Sequence, residues 1–200
     1  MYNRFDKSFK NISLPLSIGL SLYSSKFHLS HIKETLKSLI NLSRTIFLDG
    51  STGQTIDIRA REFMWERGLD YKCGTGHGVS YMLNVHEGPN GFRCDNPNLA
   101  KLEEGMITTN EPGFYAAGSH GIRLENEMLC VKGEKNEFGQ FMEFEPITIA
   151  PIDLDAIDPT LMSKREIKML NDYHAMVYEK LSPYMTEEEN IWLKKYTRSI

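Results

Sequence analysis

Two short motifs near the middle of the chain carry histidines that could take part in chemistry. His77 lies in the glycine-rich run Gly74–Val79, and His86 begins the segment His-Glu-Gly-Pro. Further along, Glu111 and Glu125 stand in the segments Asn-Glu-Pro-Gly and Leu-Glu-Asn. Carboxylate oxygens suit hard divalent ions, and an imidazole shifts the preference toward manganese, iron, cobalt or zinc. His77, Glu111 and Glu125 therefore form a candidate metal site.

The spacing of these three residues also admits a structural interpretation, in which His77 sits in a turn and the two glutamates lie at the surface. The chain has six histidines and 27 acidic residues, so chance trios of this kind are easily found. The glycines do not indicate a phosphate loop, because the Lys-Ser/Thr of a P-loop and the GxGxxG spacing are both missing. A GxSxG motif and a protease-like Cys–His motif are also absent from the sequence.

His86 is the candidate catalytic acid or base. An imidazole exchanges its proton near neutral pH and can donate a hydrogen bond to a reacting carbonyl. The alternative is a histidine whose ring is satisfied by the backbone at the end of a strand. The sequence pattern alone leaves both interpretations open.

The composition indicates one globular domain with an appended element. The chain has 200 residues, of which 40% are hydrophobic and 25% are charged. A net charge of -4 without a Lys/Arg cluster argues against nucleic acid as a partner. Cys73, Cys94 and Cys130 show no CxxC spacing, which favours a reducing compartment. We expect a cytoplasmic protein with neither nucleic acid nor membrane as a partner.

Residues 1–29 are predicted to be a poorly defined leader. The apolar stretch Ile12–Tyr23 is too short and too rich in serine to span a bilayer. Asp6 in the charged region and the lack of a small-x-small cleavage site are not typical of a signal peptide. A vestigial leader is the interpretation that remains.

Hydrophobic periodicity predicts two helices before the central motifs. Apolar residues recur at three- and four-residue steps from Ser30 to Phe47. A second helix is expected to begin near Thr55, an N-cap type residue, with Asp57 in its first turn. Gly68 is the expected C-terminal stop of that helix.

Residues 71–150 are predicted to form a sheet. They are rich in Gly, Tyr, Phe, Val and Ile, and include the strand-like runs Tyr81–Val85 and Met128–Val131. Glu111 and Glu125 flank two expected strands joined by a glycine-bearing turn, which would bring both carboxylates close together. The sequence therefore predicts an α+β fold with a curved, mostly antiparallel sheet and covering helices.

Residues 151–200 are predicted to form a separate helical appendix. The segment Ser163–Glu166 has the pattern of a capping box, and an apolar stripe follows it as far as Leu181. Ser182 and Pro183 end this helix, and a second capping box, Thr186–Glu189, begins a short last helix.

From about Leu36 to its C-terminus, the sequence resembles the C-terminal part of the catalytic domain of Xaa-Pro aminopeptidases (aminopeptidase P), metallopeptidases of the pita-bread fold. The matching segments occur in the family's order: Gly68–Tyr71, Gly74–Val79, Leu83–Pro89, Asn110–Tyr115 and Gly121–Asn126. The segment Asn-Val-His-Glu-Gly-Pro and the helical appendix favour aminopeptidase P over methionine aminopeptidase, prolidase or creatinase. The resemblance implies that residues 30–150 are the second half of a pita-bread domain, and that 151–200 are a C-terminal extension.

The resemblance also implies a role for each candidate residue. His77 would be a ligand to one ion, Glu125 would bridge two ions, and Glu111 would be both a ligand and the general base. His86 would contact the substrate around the scissile bond. The implied cofactor is manganese or another divalent metal, and the implied substrates are peptides with proline at the second position. The C-terminal extension would mediate a homodimer.

Several features depart from the family pattern. The family's two metal-binding aspartates lie upstream in an Asp-Gly-Gly-like strand, and nothing in residues 1–30 resembles it. Leu39 and Cys73 replace histidines of the family, and His120 replaces an aromatic residue. Two missing anionic ligands leave too little negative charge for two divalent cations. We therefore expect a truncated relative that is inactive alone.

Two other functions remain open at this point. The first is an active aminopeptidase whose aspartates come from a partner chain or from a misread start, and the second is a non-catalytic dimerisation module. Half of a pita-bread sheet would also leave an edge and an apolar face exposed. Low solubility or oligomerisation is the expected consequence.

Overall fold

The computed structural model of the protein describes residues 26–82 and 84–200. Within these residues the α-helices are α1 Lys26–Ser43, α2 Gly53–Ile56, α3 Ile58–Trp65, α4 Lys164–Leu181 and α5 Glu187–Tyr196. The strands are β1 Phe47–Leu48, β2 Gly76–His77, β3 Gly91–Phe92, β4 Ile107–Asn110, β5 Gly113–Ala116, β6 His120–Arg123, β7 Asn126–Asn136 and β8 Gly139–Pro146. Most of the predicted leader, residues 1–25, lies outside the described residues, and 26–29 belong to α1.

The long helix α1 contributes to two hydrophobic clusters of the described residues. One cluster lies between the helices and the sheet and consists of Leu42, Phe47, Ile56, Ala60, Phe92, Leu102, Met128, Cys130, Met142 and Phe144. The other joins α1 to the C-terminal region and consists of Leu36, Leu39, Ile40, Leu124, Ile152, Leu154, Met162 and Leu170. Because α1 buries apolar side chains in both clusters, it holds the sheet and the C-terminal region together.

The first helix ends at Ser43, so its predicted extension to Phe47 is wrong. The hydroxyls of Ser43 and Thr45 donate to the carbonyls of Leu39 and Asn41 at 2.9 and 3.0 Å, and thereby satisfy acceptors of the last turn. Phe47 belongs to β1 instead, where it pairs with β8. Phe47 is an apolar residue at a position that continues the spacing of the preceding helix, and the sequence pattern therefore included it in that helix.

The second predicted helix is two shorter ones, α2 and α3, and it does not begin at Thr55. Asp57 lies at their junction, where its carboxylate bonds to other parts of the chain. The prediction of Gly68 as the C-terminal stop is confirmed, since Gly68 has a φ of +67° and Leu69 N–H donates back to the Met64 carbonyl at 2.9 Å.

The main sheet has the strand order β1-β8-β7-β4 and is antiparallel at each pairing. A bridge between Gly78 and Thr108 leads from β4 to the small β2–β3 ribbon. The strands β5 and β6 form a separate hairpin whose turn contains Gly118, as predicted. An antiparallel sheet covered by helices is therefore confirmed.

The predicted strand Tyr81–Val85 is wrong for the described residues of that segment, which form a turn and a bend. The Ser80 N–H donates to the Asn84 carbonyl at 3.1 Å. Tyr81 is 94% exposed and Met82 is 71% exposed. The run is apolar without a sheet neighbour to bury it. In contrast, the predicted run Met128–Val131 lies in β7.

Both capping boxes of the C-terminal region are confirmed. The Ser163 N–H donates to the Glu166 carboxylate at 2.7 Å at the start of α4, and the Thr186 N–H donates to the Glu189 carboxylate at 2.8 Å at the start of α5. A short 3-10 helix, Ser182–Tyr184, separates the two helices. Among the described residues, no helix combines the length and the apolar character needed to cross a membrane.

A buried histidine attaches α4 to the chain segment that follows β8. His174 Nε2 accepts a hydrogen bond from the Ile152 N–H at 3.0 Å. The ring proton is therefore on Nδ1, which is buried without a hydrogen-bond partner. Burial, together with the charge of Arg198, lowers the pKa of His174 to about 4. The imidazole is neutral in the folded protein over a range in which an unfolded histidine is protonated.

Acidification should consequently weaken the fold before carboxylates titrate. An unfolded histidine with a pKa of about 6.5 binds a proton that folded His174 does not bind. The free energy of unfolding therefore falls as the pH drops below that value. Between pH 8 and pH 5.5 this amounts to about 1.4 kcal/mol of unfolding free energy. Urea unfolding at the two pH values measures the loss, which should be absent from His174→Gln and present in the control Lys180→Gln on the same helix. Equal pH dependence in both variants would contradict the assignment.

Candidate functional site

A buried ion pair anchors the loop that carries the first candidate residues. The Arg61 Nε donates to the Asp57 Oδ2 at 2.5 Å, and the two side chains are 3% and 0% exposed. Arg61 also donates to the carbonyls of Tyr71 and Cys73 at 2.8 and 2.9 Å. Burial acts to lower the pKa of Arg61, but the hydrogen bond and charge of Asp57 outweigh it and raise that pKa. The guanidinium therefore fixes the backbone just before the glycine-rich run.

Asp57 completes the same network from the other side. The Asp57 Oδ1 accepts a hydrogen bond from the Thr75 hydroxyl. Its Oδ2, which pairs with Arg61, also accepts the Cys94 N–H at 2.8 Å. The Tyr71 hydroxyl lies 2.6 Å from the Thr75 hydroxyl. The start of the glycine-rich run and the chain after β3 are thus both fastened to the beginning of α3.

The glycines of the run allow a close approach of three backbone segments. A Cβ on Gly76 would lie 1.8 Å from the Thr109 carbonyl oxygen, and one on Gly78 would lie 2.1 Å from that of Glu87. Neither position has room for a side chain. Glycine is required here because β2 passes directly over β4, which brings His77 beside the end of β4.

His77 presents one ring nitrogen to the Glu111 carboxylate. Its Nδ1 lies 3.0 Å from the Gly78 carbonyl oxygen, which can only accept, so Nδ1 carries a proton. Its Nε2 lies 3.1 Å from the Glu111 Oε1. Acceptor oxygens therefore face both ring nitrogens of His77.

Glu111 is 6% exposed and is held from several sides. Its N–H donates to the Thr75 carbonyl at 2.7 Å, and its Oε1 accepts from the Thr109 hydroxyl at 3.1 Å. The Arg123 Nη1 lies 2.6 Å from the Glu111 Oε2. One carboxylate oxygen therefore faces His77, and the other is paired with a guanidinium.

Glu125 lies at the edge of this group. Burial, reinforced by the negative charge of Glu111, raises the pKa of Glu125, while Arg123 and His77 act in the opposite direction. Across residues 26–82 and 84–200, no three His, Cys, Asp or Glu side chains are placed so that they could hold a metal ion together. The structure thus brings His77 and Glu111 into contact and leaves Glu125 outside that contact.

The ring of His86 lies against the ring of His77, the candidate metal ligand. Its ring centroid is 3.9 Å from that of His77, with an angle of 33° between the rings. Both rings line a cavity of about 330 Å³, and Glu111, Arg123, Cys73 and the apolar Leu99 also line it. His86 is exposed, so its ring edge is accessible to a molecule in the cavity.

The positions that depart from the family pattern have different surroundings. Cys73 lines the cavity, with its sulfur 3.9 Å from the Arg123 Nη2. Leu39 is buried in the hydrophobic cluster between α1 and the C-terminal region. His120 Nε2 lies 3.1 Å from the Nδ1 of His31 on α1, away from the cavity.

Three residues of the site were not identified from the sequence. Arg123 lies within a motif that was recognised, but its pairing with Glu111 requires the β5–β6 hairpin to fold back onto the residue that follows β4. Asp57 and Arg61 have the i,i+4 spacing of a helical ion pair, which is a usable signal. Their burial, which gives the pair its structural weight, is not visible in that spacing.

The described residues fit the metal chemistry only in part. His77 Nε2 and Glu111 Oε1 are suitable donors that already face each other. The guanidinium of Arg123 occupies the second oxygen of Glu111, and Glu125 does not complete a set of three. These residues do not by themselves fit a centre of two divalent ions.

Comparison with known proteins gives two family matches that cover most of the chain. Residues 24–132 match the profile of the metallopeptidase family M24. Residues 140–200 match the C-terminal region of peptidase_M24. The two matched segments adjoin near the hairpin of β7 and β8.

Similar proteins are found among both curated sequences and solved structures. The chain is 43% identical over 173 residues to a probable Xaa-Pro aminopeptidase P of Coprinopsis cinerea, which covers 82% of this chain and 28% of that protein. It is 42% identical to an uncharacterized peptidase of Schizosaccharomyces pombe over 88% of this chain and 30% of that protein. The chain therefore spans about three-tenths of the length of these relatives.

A crystal structure of X-prolyl aminopeptidase from Caenorhabditis elegans superimposes with a TM-score of 0.81 and 35% identity, covering 90% of this chain and 30% of that one. That protein is described as a cytosolic enzyme with a di-nuclear active site. An Xaa-Pro dipeptidase from Bacillus anthracis gives a TM-score of 0.51 at 29% identity over 66% of this chain and 34% of that one. The predicted family resemblance and the α+β, partial pita-bread fold class are confirmed.

The buried ion pair should be the most sensitive point of the site's framework. Arg61→Gln leaves the Asp57 carboxylate buried without its countercharge, and we expect a loss of about 3–5 kcal/mol in unfolding free energy. The control Arg93→Gln breaks an exposed pair with Asp95 and should cost less than about 1 kcal/mol. Urea denaturation of both variants at pH 7.5 measures the difference. Similar losses in the two variants would show that the buried pair has no special weight.

Proposed function

Because the chain belongs to metallopeptidase family M24, we propose that it carries part of an Xaa-Pro aminopeptidase-like site and that the 200-residue polypeptide is catalytically silent by itself. The observation that supports silence is the pairing of Glu111 with Arg123 at 2.6 Å, without a third metal-ligating side chain beside the His77–Glu111 pair among the described residues. A carboxylate oxygen that already accepts from a guanidinium is less available as a metal ligand.

The substrates of the complete site would be peptides with proline at the second position. The names of the curated relatives support this class, and the cavity of about 330 Å³ beside His86 has a size found for small-ligand pockets. His86 would donate a hydrogen bond to the substrate around the scissile bond. Glu111 would accept the proton that the attacking group loses.

His77, Glu111 and Glu125 are our proposed metal ligands, with manganese as the first ion to test. The His77 tautomer supports this assignment, because its Nδ1 proton points to the Gly78 carbonyl and Nε2 is left for a cation. The pKa of Glu125 is raised because burial and the charge of Glu111 outweigh the effect of Arg123 and His77, so a further cation beside this carboxylate would be stabilising. Two further anionic ligands would have to be supplied for a two-ion centre.

Residues 30–150 and 151–200 are proposed to be the catalytic part and the C-terminal extension. The separate family matches to 24–132 and 140–200 support a division in this region. A cytoplasmic location is proposed from the three free thiols and from the description of the Caenorhabditis elegans protein as cytosolic.

A second candidate function is dimerisation through the C-terminal extension. Tyr184, Ile191 and Trp192 support it, since they are 89%, 69% and 41% exposed on neighbouring elements of that extension. Exposed apolar side chains grouped in this way are typical of protein interfaces. Sedimentation equilibrium of the polypeptide distinguishes a monomer from a dimer.

The silent-domain proposal predicts no measurable peptidase activity. Purified polypeptide incubated with manganese and a peptide that has proline at the second position should release its N-terminal residue no faster than buffer does. Cleavage that disappears in Glu111→Gln but persists in Lys132→Gln, which alters an exposed pair outside the cavity, would refute the proposal and support an active aminopeptidase. Cleavage that persists in both variants would indicate a contaminating peptidase.

Metal titration tests the ligand assignment separately. Calorimetry with manganese should detect one weak site per chain, and Glu111→Gln should abolish it. Arg123→Gln should tighten the site by about tenfold, since it frees one carboxylate oxygen from a competing charge-assisted bond. Two ions per chain would contradict the incomplete site. If neither the wild type nor Arg123→Gln bound manganese, the result would contradict the ligand assignment itself.

A further inference from the structure

A small cleft lined by both charged and apolar side chains lies on the side of α1 that faces the C-terminal extension, away from the candidate site. It has a volume of about 80 Å³ and is bounded by α1, α3 and the start of α4. Three cationic side chains line it, Lys37, Arg44 and Arg165, but only one carboxylate does, that of Glu166. The lining therefore carries an excess of two positive charges.

The single lining carboxylate is already engaged. Glu166 accepts the Ser163 N–H at 2.7 Å in the capping box and lies 3.3 Å from the Lys37 Nζ. These contacts help to lower the pKa of Glu166 against the effect of its burial. It therefore neutralises Lys37 and does not balance the two arginines.

Arg44, which lines the cleft, shares a neutral acceptor with Arg59, which lies outside the lining. The Asn41 Oδ1 accepts from the Arg44 Nε and Nη2 at 3.0 and 2.8 Å and from the Arg59 Nη2 at 2.9 Å. Asn41 is 2% exposed, so water does not easily replace this contact. One amide oxygen thus faces two guanidiniums where a carboxylate would be the usual partner.

The electrostatic environment of Arg44 agrees with this geometry. Burial and the charges of Arg165 and Arg59 lower the pKa of Arg44, and the carboxylates of Glu62 and Glu166 compensate only in part. Glu62 is itself paired with Arg59 at 3.3 Å. The start of α4 adds the positive end of a helix dipole on the same side.

We propose that the cleft bounded by Arg44, Arg165 and Lys37 is a binding site for a small oxyanion with two negative charges, with inorganic phosphate as its simplest representative. A tetrahedral oxyanion would bridge guanidiniums that come from α1 and α4, and its charge matches the local excess. The volume of about 80 Å³ admits one such group. The anion would fasten the C-terminal extension to α1.

Thermal unfolding in metal-free buffer tests the proposal with the full 200-residue chain. Phosphate or sulfate is titrated at constant ionic strength maintained with sodium chloride. A saturable rise in Tm of about 3 °C is expected at roughly ten times the dissociation constant. Chloride alone should give no saturable rise.

Variants distinguish this site from general salt effects. Arg165 is exposed, so Arg165→Gln should fold normally and should raise the half-saturating phosphate concentration about tenfold. Arg44→Gln should have at least the same effect, and the control Lys194→Gln on α5 should behave like the wild type. An absent phosphate response, or an equal response in Arg165→Gln and Lys194→Gln, would overturn the proposal.

Discussion

The buried pair of Asp57 and Arg61 is the interaction on which the candidate site depends. Two charges taken out of water are costly unless every remaining donor and acceptor finds a partner. Here Asp57 accepts from Arg61, from the Thr75 hydroxyl and from the Cys94 N–H, while Arg61 also reaches two carbonyls of the following loop. The pair is satisfied only if the loop has this one conformation. The buried pair therefore specifies the conformation of this loop.

The position of Glu111 follows from that constraint. The Thr75 carbonyl, in the loop held by Asp57, accepts the Glu111 N–H at 2.7 Å, and the neighbouring His77 N–H donates to the Thr109 hydroxyl at 3.0 Å. Backbone bonds thus bring an imidazole and a carboxylate together before any ion is bound. Arg123 then acts as the internal countercharge of the buried carboxylate. Under the proposed metal assignment, a cation would compete with this guanidinium for the Glu111 carboxylate.

Interactions between near neighbours were predictable from the sequence, and those across the sheet were not. The capping boxes at Ser163 and Thr186 and the stop at Gly68 involve residues a few positions apart, and all three were predicted correctly. Phe47 was misassigned because its pairing with β8 is remote in sequence. The site motifs identified His77 and Glu111 through resemblance, but their contact and the partner Arg123 depend on the register of distant strands. These contacts depend on tertiary structure, and local sequence propensity therefore could not predict them.

The helix α1 links this site to the C-terminal extension through Asn110, the residue before Glu111. The Asn110 Nδ2 donates to the Leu39 carbonyl and to the Ser43 hydroxyl, both at 2.9 Å, and the side chain is fully buried. Ser43 is followed by Arg44, whose guanidinium lines the cleft beside α4. Breaking these two bonds would leave buried polar groups unpaired, at a cost of roughly 1–3 kcal/mol each. The end of β4, next to Glu111, is therefore tied to the helix that also packs against the C-terminal extension.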